Sequence, residues 1–546
     1  MDSPIAIKPK RGTLIVGVIT LLFLPFLLLV ACDSQLQENP PSSFAPSNVY
    51  TNASGVDAAV KGIYDAVRGG SYYGNAHISL VENHTDYSIG RGSQNPMSLF
   101  DLDAVNRSRI NNSVWGPAYE AINRANEVIA NVQGKEDIEG LTEAKRNQFL
   151  GEARWLRALN YFNLVRLFSS PDGAGVPLRL QPASGSEENL NTPRASADEV
   201  YSQIISDLQF AEQNLPGSYE GSDRGRVTSW AAKALLSKVH LTRENWSNAE
   251  GLADEIINSG QFELLVPDDT SAEFERIFGV NAQAGVTNNE VIWEISFARP
   301  DPSNGALGWI HSGRAGYYSG GVFAWFGNID ICRVAEAFDQ PLNRPEDCGP
   351  PSGIEKESFL GPWHEQRDVD RRANHTLYDP ARAADQNILS PEFPMFFRKY
   401  RSPGQSDATN PFPVVRYAET IYIKSEAEFR QNGATSEARE YLNMMRRRAR
   451  GLDPATPNSA ADVSSSLSGR AFLDTLLIER AKEFVLEQKR YYDLKRTEKN
   501  GELRAFWIAK ELGKGTPEMR NFFWPLPQQE IANNDSLSQA DQNPGW

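Results

Sequence analysis

Apolar residues recur every three or four positions through much of the chain, which is the spacing of amphipathic α-helices. The strongest such stretch covers residues 142–168, with Thr142 as the predicted N-cap. Its apolar stripe consists of Trp155, Ala158, Leu159, Phe162 and Val165. Shorter helices are predicted over about residues 54–69, 115–132 and 198–215. The pattern therefore predicts a mainly α-helical protein.

Two stretches are typical of the helical hairpins found in tetratricopeptide repeats. In residues 226–259 the small residues Ser237 and Ala249 lie twelve positions apart, which allows two helices to cross closely. Residues 417–450 repeat the arrangement, with Ala438 in the place of Ala249. One hairpin cannot bury its apolar face alone, so we expect the hairpins to stack.

The helical pattern is interrupted twice. Residues 71–109 have little periodicity and are rich in Tyr, Gly, Asn, Ser and Arg, which is typical of a long functional loop region. Residues 291–297 alternate as a half-buried strand does, and residues 299–410 are rich in Gly, Pro and aromatic residues. A long helix is predicted after Ser464, with an extended tail over 521–546. The apolar face of that helix consists of Leu477, Ala481, Phe484, Tyr491 and Leu494.

The N-terminus has the pattern of a bacterial lipoprotein signal. Basic residues, an uncharged apolar run over 13–30 and a small residue precede Cys32. The pattern predicts cleavage before Cys32 and acylation of its thiol. The alternative is an uncleaved helix with an incidental cysteine, against which Pro25 and the polar stretch 37–48 argue.

The composition of the chain disfavours several classes of partner and cofactor. The net charge of −15 does not suit nucleic acid or anionic lipid headgroups. In an oxidising compartment the remaining cysteines, Cys332 and Cys348, are predicted to form a disulfide. Two cysteines alone make a poor metal site, so we expect neither a metal nor another cofactor.

Motifs of common enzyme classes are missing from the sequence. It has no G-x-S-x-G elbow, no H-E-x-x-H, no P-loop and no dinucleotide fingerprint. The 70 acidic residues leave a glycosidase carboxylate pair open as an alternative. Otherwise the sequence indicates a protein that is not an enzyme.

Five ordered blocks resemble the SusD/RagB family of outer-membrane lipoproteins. The most specific is Gly-Glu-Ala-Arg-Trp-Leu-Arg-Ala-Leu-Asn-Tyr-Phe at 151–162, and the last is Gln-Asn-Pro-Gly-Trp at 542–546. The blocks as a whole fall within residues 58–64, 151–162, 416–428, 479–496 and 525–546.

The resemblance implies a SusD-like fold of tetratricopeptide-like hairpins with an irregular, mixed α/β, aromatic-rich insertion. It also implies capture of an oligosaccharide at the exterior of the outer membrane, and its transfer to a TonB-dependent barrel of the SusC type. The expected division is a signal peptide 1–31, a lipidated tether 32–49, an N-terminal helical-repeat part 50–290 with loop 71–109, an insertion 291–412 contributing the ligand site, and a C-terminal helical part with its tail 413–546.

Sugar binding requires flat apolar faces together with a few polar partners for hydroxyls. Two non-helical stretches offer both, in regions where the resemblance implies ligand contacts. The candidates are Tyr72, Tyr73, Asn83, Asp86 and Arg91 in the first stretch, and Trp309, Arg314, Tyr317, Tyr318 and Trp325 in the second. For each aromatic residue the alternative is a place in the core, and Trp293 is left out because its strand pattern buries it.

The charged residues of the family blocks are interpreted as scaffold. We expect ion pairs between stacked helices from Arg157, Glu479, Arg480, Glu483 and Asp493. Two other functions stay open at this point. They are a helical-repeat scaffold that binds proteins, and capture of peptides in place of glycans.

Overall fold

We describe the fold from a computed structural model of the chain. The structure describes residues 49–74, 76–82, 84–85, 87–90, 111–183, 190–267, 272–279, 282, 284–297, 322–324, 369–378, 396–397, 399–400, 410–498 and 522–546.

Helices dominate the described residues, as predicted. The helices are α1 (Ala53–Arg68), α2 (Ala76–Glu82), α3 (Gly116–Val132), α4 (Glu143–Phe168), α5 (Ala197–Asn214), α6 (Ser229–Thr242), α7 (Trp246–Asn258), α8 (Ala272–Phe278), α9 (Arg371–Thr376), α10 (Tyr417–Asn432), α11 (Ser436–Ala449), α12 (Gly469–Glu483), α13 (Arg490–Glu498) and α14 (Gln528–Asn533). The strands are β1 (Ser88–Gly90), β2 (Ala174–Pro177), β3 (Arg194–Ser196), β4 (Val291–Ile295), β5 (Val322–Ala324), β6 (Leu377–Tyr378), β7 (Phe396–Phe397) and β8 (Phe412–Arg416). They pair as the antiparallel ladders β1–β5, β2–β3, β4–β8 and β6–β7.

Helix α4 begins where the sequence predicts. The Thr142 hydroxyl accepts a hydrogen bond from the Lys145 N–H at 3.3 Å, which satisfies one of the free donors of the first turn. The predicted apolar stripe of α4 is buried throughout. Helix α4 packs against α3 on one side and α5 on the other, so it forms the centre of the N-terminal helical layer.

Both predicted hairpins are present, as α6–α7 and α10–α11. In the first, the Ser237 hydroxyl donates to the Ala249 carbonyl at 2.7 Å. In the second, the Ser425 hydroxyl donates to the Ala438 carbonyl at the same distance, 2.7 Å. This bond spans the helix crossing, so the small residues are at the close approach that the spacing predicts. The hairpins stack through α7 and α10.

The prediction of a half-buried strand is wrong in one respect. Strand β4 is buried on both faces, because Ile292 is 6% and Glu294 is 3% exposed. Strand β8 pairs with β4, and the Ala284 N–H donates to the Glu294 side chain at 3.1 Å. The preceding segment therefore covers the face that alternation assigns to solvent.

The prediction of one long helix after Ser464 is also wrong. Helices α12 and α13 are separate, and the turn between them contains Leu486 and Gln488 with φ of 62° and 55°. Such positive φ values cannot continue a right-handed helix. The predicted apolar face is nevertheless buried on both sides of the break.

One continuous hydrophobic core joins α1 to the C-terminal tail. It extends from Val56 in α1 through Trp155 and Leu477 to Trp524 in the tail. The backbone N–H of Trp524 donates to the Leu167 carbonyl at 2.9 Å, which fixes the tail on α4. The tail contains α14 and is therefore not wholly extended. Within the ranges given above, no helix is both long and apolar enough to span a membrane.

Candidate functional site

The ladder β1–β5 joins the two stretches that the sequence predicts to contact ligand. Ser88 pairs with Ala324, Ile89 with Phe323 and Gly90 with Val322. The first strand belongs to the loop region after α1 and the second to the mid-chain insertion. Two segments far apart in sequence therefore lie side by side.

Most of the predicted ligand residues lie outside the described residues. They are Asn83, Asp86, Arg91, Trp309, Arg314, Tyr317, Tyr318 and Trp325. The same holds for the lipidation candidate Cys32 and the disulfide candidates Cys332 and Cys348.

Tyr72 and Tyr73 are described, and they have the surroundings of core residues. The two side chains are 0% and 2% exposed. The Tyr72 hydroxyl donates to Asn160 at 2.9 Å, and the Asn163 amide donates to the Tyr73 hydroxyl at 2.7 Å. Neither ring presents a face to solvent, so neither tyrosine offers a stacking platform for a sugar in this structure.

The segment leading into β1 is fixed to the turn between α12 and α13. The Gln488 N–H donates to the Glu82 carboxylate at 2.6 Å, and the Leu486 N–H donates to the Tyr87 hydroxyl at 3.0 Å. Tyr87 also donates to Glu82. Burial raises the pKa of Glu82 to about 7. The break in the predicted long helix thus positions the loop that carries β1.

A central ion network supports this turn. We use that name for the buried residues Glu290, Arg372, Lys399, Arg416, Arg448, Glu479, Glu483 and Glu487. Arg416 pairs with Glu483 at 3.0 Å and with Glu487 at 2.8 Å. Arg448 pairs with Glu290 at 2.9 Å. Burial raises the pKa of Glu487, but Arg416 and Lys399 outweigh it and hold that pKa below its usual value.

The interpretation of the motif charges as scaffold is confirmed for the five residues named from the sequence. Arg157 pairs with Asp207 at 2.8 Å, and Arg480 pairs with Asp493 at 2.7 Å. Glu479 and Glu483 belong to the central ion network. These side chains hold helices together and are buried away from solvent.

A cavity of about 530 Å³ opens beside β4, and we call it the Trp293 cavity. Its walls come from the C-terminal half of α1, residues 222–226 and β4. Its lining includes Tyr64, Arg224, Arg226, Trp293, Glu294 and Ser296. A second cavity of about 270 Å³ adjoins it and shares Arg224, Arg226, Trp293, Glu294 and Ser296. Helix α1, which forms one wall, leads into loop 71–109, and β4, which forms the other, begins the insertion.

Trp293 forms the floor of the Trp293 cavity. It is 4% exposed, its indole N–H donates to the Gly225 carbonyl at 2.9 Å, and its ring lies 4.6 Å from that of Trp155. The placement agrees with the sequence interpretation of Trp293 as a buried residue. It stiffens the cavity, because an indole held by a hydrogen bond and an edge-to-face ring contact has one orientation.

Glu294 is the chemically unusual group of the Trp293 cavity. Its Oε1 atom accepts the Ala284 N–H at 3.1 Å, whereas Oε2 is buried and has no hydrogen-bond partner among the described residues. Burial raises the pKa of this carboxyl to about 7, and the bonds to Ala284 and Ser296 oppose that rise. Near neutral pH the Glu294 carboxyl is therefore close to half-protonated, so it can act as either a donor or an acceptor of a hydrogen bond.

Arg226 joins the cavity wall to the helical scaffold. Its guanidinium pairs with Glu152 at 3.0 Å and Asp223 at 2.9 Å, and also pairs with Asp57. Tyr64 donates to the same Glu152 at 2.7 Å. Glu152 belongs to the strongest family block, so that block positions the wall of the Trp293 cavity.

The sequence interpretation missed Glu294 because alternation placed it on an outward face. The available signal is an acidic residue inside the otherwise apolar run 291–295. A carboxylate in such a strand is costly to bury unless it is paired or protonated. In the described part of the chain, no group of three or more His, Cys, Asp or Glu residues could hold a metal ion.

Comparison with protein-family models assigns both ends of the chain. The model described as "SusD family" matches residues 383–546. The model described as "Starch-binding associating with outer membrane" matches residues 36–241. The chain belongs to the SusD/RagB family.

Individual SusD-like proteins match nearly end to end. The chain is 27% identical over 556 residues to "SusD-like protein P25" of Formosa agariphila, covering 96% of this chain and 98% of that one. A solved SusD homolog from Bacteroides thetaiotaomicron has a TM-score of 0.70 at 20% identity, covering 92% of this chain and 98% of that one. "Surface glycan-binding protein A" from Bacteroides fluxus has a TM-score of 0.63 at 21% identity, covering 90% and 99%. The two structures show that the SusD-like fold is shared.

Proposed function

We propose that this SusD-like protein is a lipoprotein at the exterior of the outer membrane that captures an oligosaccharide or similar polymer fragment. Lipid on Cys32 anchors it, and a partner TonB-dependent barrel of the SusC type receives the ligand for nutrient uptake. The protein binds its ligand without transforming it and uses no cofactor.

The observation that carries this proposal is the ladder β1–β5. In it, β1 of the loop region after α1 pairs with β5 of the insertion, and the sequences of these two stretches contain the aromatic and polar residue types that a pyranose needs. The shared fold with a protein named as glycan-binding supports the same conclusion. The lipoprotein signal before Cys32 supports the anchor.

Each group of candidate residues has a distinct role in the proposal. The proposed stacking platforms are the rings of Trp309, Tyr317, Tyr318 and Trp325. The hydroxyl partners are Asn83, Asp86, Arg91 and Arg314, together with Glu294 and Arg224 from the Trp293 cavity.

Affinity electrophoresis tests glycan capture. The full-length protein in detergent is run through gels that each contain one neutral or acidic polysaccharide. We expect retardation on at least one, and its loss in Trp309→Ala or Trp325→Ala because the stacking face is removed. The matched controls Trp309→Phe and Trp325→Phe keep a ring and should keep most of the retardation. Retention of peptides alone would overturn the glycan assignment in favour of peptide capture.

Metabolic labelling tests the anchor. The wild-type protein should incorporate an alkynyl fatty acid and sediment with outer membranes, and Cys32→Ala should do neither. Protease added to intact cells should remove the wild-type protein if it faces the exterior. Affinity purification of the wild-type protein should also recover a TonB-dependent barrel, and a preparation without one would contradict the transfer step.

A further inference from the structure

A further cavity, of about 570 Å³, lies apart from the Trp293 cavity and shares no lining residue with it. We call it the cationic cleft. It is formed by the C-terminal end of α4, the turn between α6 and α7, helix α13 and the start of the tail. The lining residues that matter here are Arg166, Tyr201, Arg243, Tyr492, Lys495 and Phe523. Its volume is typical of a small-molecule site, about 300–1,000 Å³.

Arg166 is a buried cation of the cationic cleft. It is 8% exposed, and among the described residues no Asp or Glu forms an ion pair with it. Its Nη2 atom donates to the Asn163 side chain at 2.8 Å and its Nε atom to the Phe162 carbonyl at 3.0 Å. The guanidinium is stacked between the rings of Phe162 at 3.8 Å and Tyr492 at 3.6 Å. It is therefore held in one orientation.

Lys495 is a second cation that lines the cationic cleft. Its ammonium donates to the Arg166 carbonyl at 2.5 Å and lies 4.5 Å from the Phe523 ring centre. It has no ion-pair partner in the ranges that the structure describes. Burial, with a smaller contribution from Arg166, lowers the pKa of Lys495 to about 7. Two neighbouring cations without an anion are unfavourable unless a ligand supplies the charge.

The Tyr492 hydroxyl is a buried donor that is unused. The side chain is 7% exposed, and its hydroxyl has no hydrogen-bond partner within the described part of the chain. It lines the same cleft as Arg166 and Lys495. A donor in this position is left unsatisfied at a cost of roughly 1–3 kcal/mol unless it bonds a ligand.

The other charges of the cleft are already balanced or lie at its edge. Arg243 pairs with Asp198 at 2.6 Å, and Arg496 pairs with Glu426 at 2.6 Å. The acid that lines the cleft is Glu244, which is exposed. The inner end of the cleft therefore has a net positive charge.

We propose that the cationic cleft binds the carboxylate or sulfate group of an acidic sugar, a proposal that rests on the proposed glycan capture. Arg166 and Lys495 contact the anionic group, and Tyr492 donates a hydrogen bond to it. Tyr201 and Phe523 pack against the C–H face of the sugar ring. The aromatic lining favours a sugar over an inorganic ion, because an ion gains nothing from apolar walls.

Binding titrations with the full-length protein in detergent test the proposal. The probes are oligogalacturonate, its carboxyl-reduced neutral form, a sulfated galactan oligosaccharide and inorganic sulfate. We expect tighter binding of one charged oligosaccharide than of the neutral form, by about tenfold for one lost charge-assisted bond. Binding of inorganic sulfate alone would identify a simple anion site and overturn the sugar assignment.

Two variants and one control locate the effect. Lys495→Gln should weaken binding of the charged oligosaccharide about tenfold and leave the neutral one unchanged. Tyr492→Phe removes only the hydroxyl, so it tests the site even if Lys495→Gln folds poorly, and a weakening of several-fold is expected. Lys135→Gln is the matched control, since it makes the same change at an exposed lysine. Equal affinity of all variants for charged probes would overturn the proposal.

The pH dependence is a further readout. Binding should weaken between pH 6 and 9, because Lys495 loses its proton in that range. The other charged groups that line the cleft with Lys495 are the guanidinium groups of Arg166, Arg243 and Arg496, with the Glu244 carboxyl at the edge. A protein that retains neutral polysaccharides but never prefers charged ones contradicts this inference alone. A protein that retains no polysaccharide contradicts the proposed function itself.

Discussion

The central ion network and the cationic cleft contain the same residue types with opposite charge balance. In the network, Arg416 is surrounded by Glu290, Glu483 and Glu487. In the cleft, Arg166 and Lys495 lie together with no described acid paired to either. In both regions an arginine guanidinium stacks on an aromatic ring, Arg416 on Phe484 and Arg166 on Tyr492. The packing is therefore similar, and the two regions differ in their counter-ions.

The difference distinguishes a structural cluster from a candidate binding cluster. A buried cation whose carboxylates are all present is complete without a ligand, and removing it leaves the acids unpaired. A buried cation without an acid is a cost to folding, and a ligand is one way to remove that cost. The same substitution should therefore have opposite effects on stability in the two regions.

The largest effect is expected in the central ion network. Arg416→Met should lower the free energy of unfolding by about 3–5 kcal/mol, because three buried carboxylates lose a shared partner. Urea unfolding at pH 7 measures it. Arg470→Met is the control, since that exposed pair with Asp474 should contribute at most about 1 kcal/mol. Equal effects at both positions would refute the assignment of Arg416 to a structural network.

The next effect concerns Glu294, a buried acid with no ion-pair partner among the described residues. Its pKa is raised, so the folded state binds its proton more tightly than the unfolded state. Its contribution to stability is therefore present below about pH 4.5 and is lost as pH rises to about 7. Glu294→Gln should become more stable than wild type over that range, by about 2–3 kcal/mol. Unfolding curves at pH 5, 6, 7 and 8 test this, with exposed Glu136→Gln as the control.

Lys495→Met tests the cleft by the same logic. The pKa of Lys495 is lowered from 10.5 to about 7, so the unfolded state binds its proton more tightly than the folded state does. Stability is therefore lost as the pH falls from about 10 through 7. Removing the amine should raise the free energy of unfolding at pH 6 by about 1–2 kcal/mol and change it little near pH 10. A loss of stability at pH 6 would show that Lys495 is a structural cation like Arg416.

The smallest effect is expected at the two hairpin crossings. Ser237→Ala and Ser425→Ala each remove one buried hydrogen bond and should each lower the free energy of unfolding by about 1 kcal/mol. Thermal unfolding of the two single variants compares them directly. Ser259→Ala is the control, because its hydroxyl bonds locally within one helix end. A much larger loss at only one crossing would mean that the two hairpins are not equivalent.

Regular helical positions could be predicted from the sequence because local periodicity determines them. The start of α4 after Thr142 and the crossing of Ser237 with Ala249 follow from spacing alone. The burial of Tyr72 and Tyr73 could not be predicted, because the local sequence of a loop does not show whether another element, here α4, covers its tyrosines. The break at Leu486 and Gln488 was likewise hidden, since the apolar face continues across it.

Sequence by itself therefore determined the helical class, the two hairpins and the structural role of the motif charges, and the lipoprotein signal before Cys32 stays a prediction. Only the tertiary structure decided which segments meet, because β1 pairs with β5 across a long separation that no local pattern encodes. It also decided which charges of the described residues pair with one another. Whether Glu294, Arg166 or Lys495 is compensated depends on side chains brought in from other elements, and those distances exist only in the folded chain.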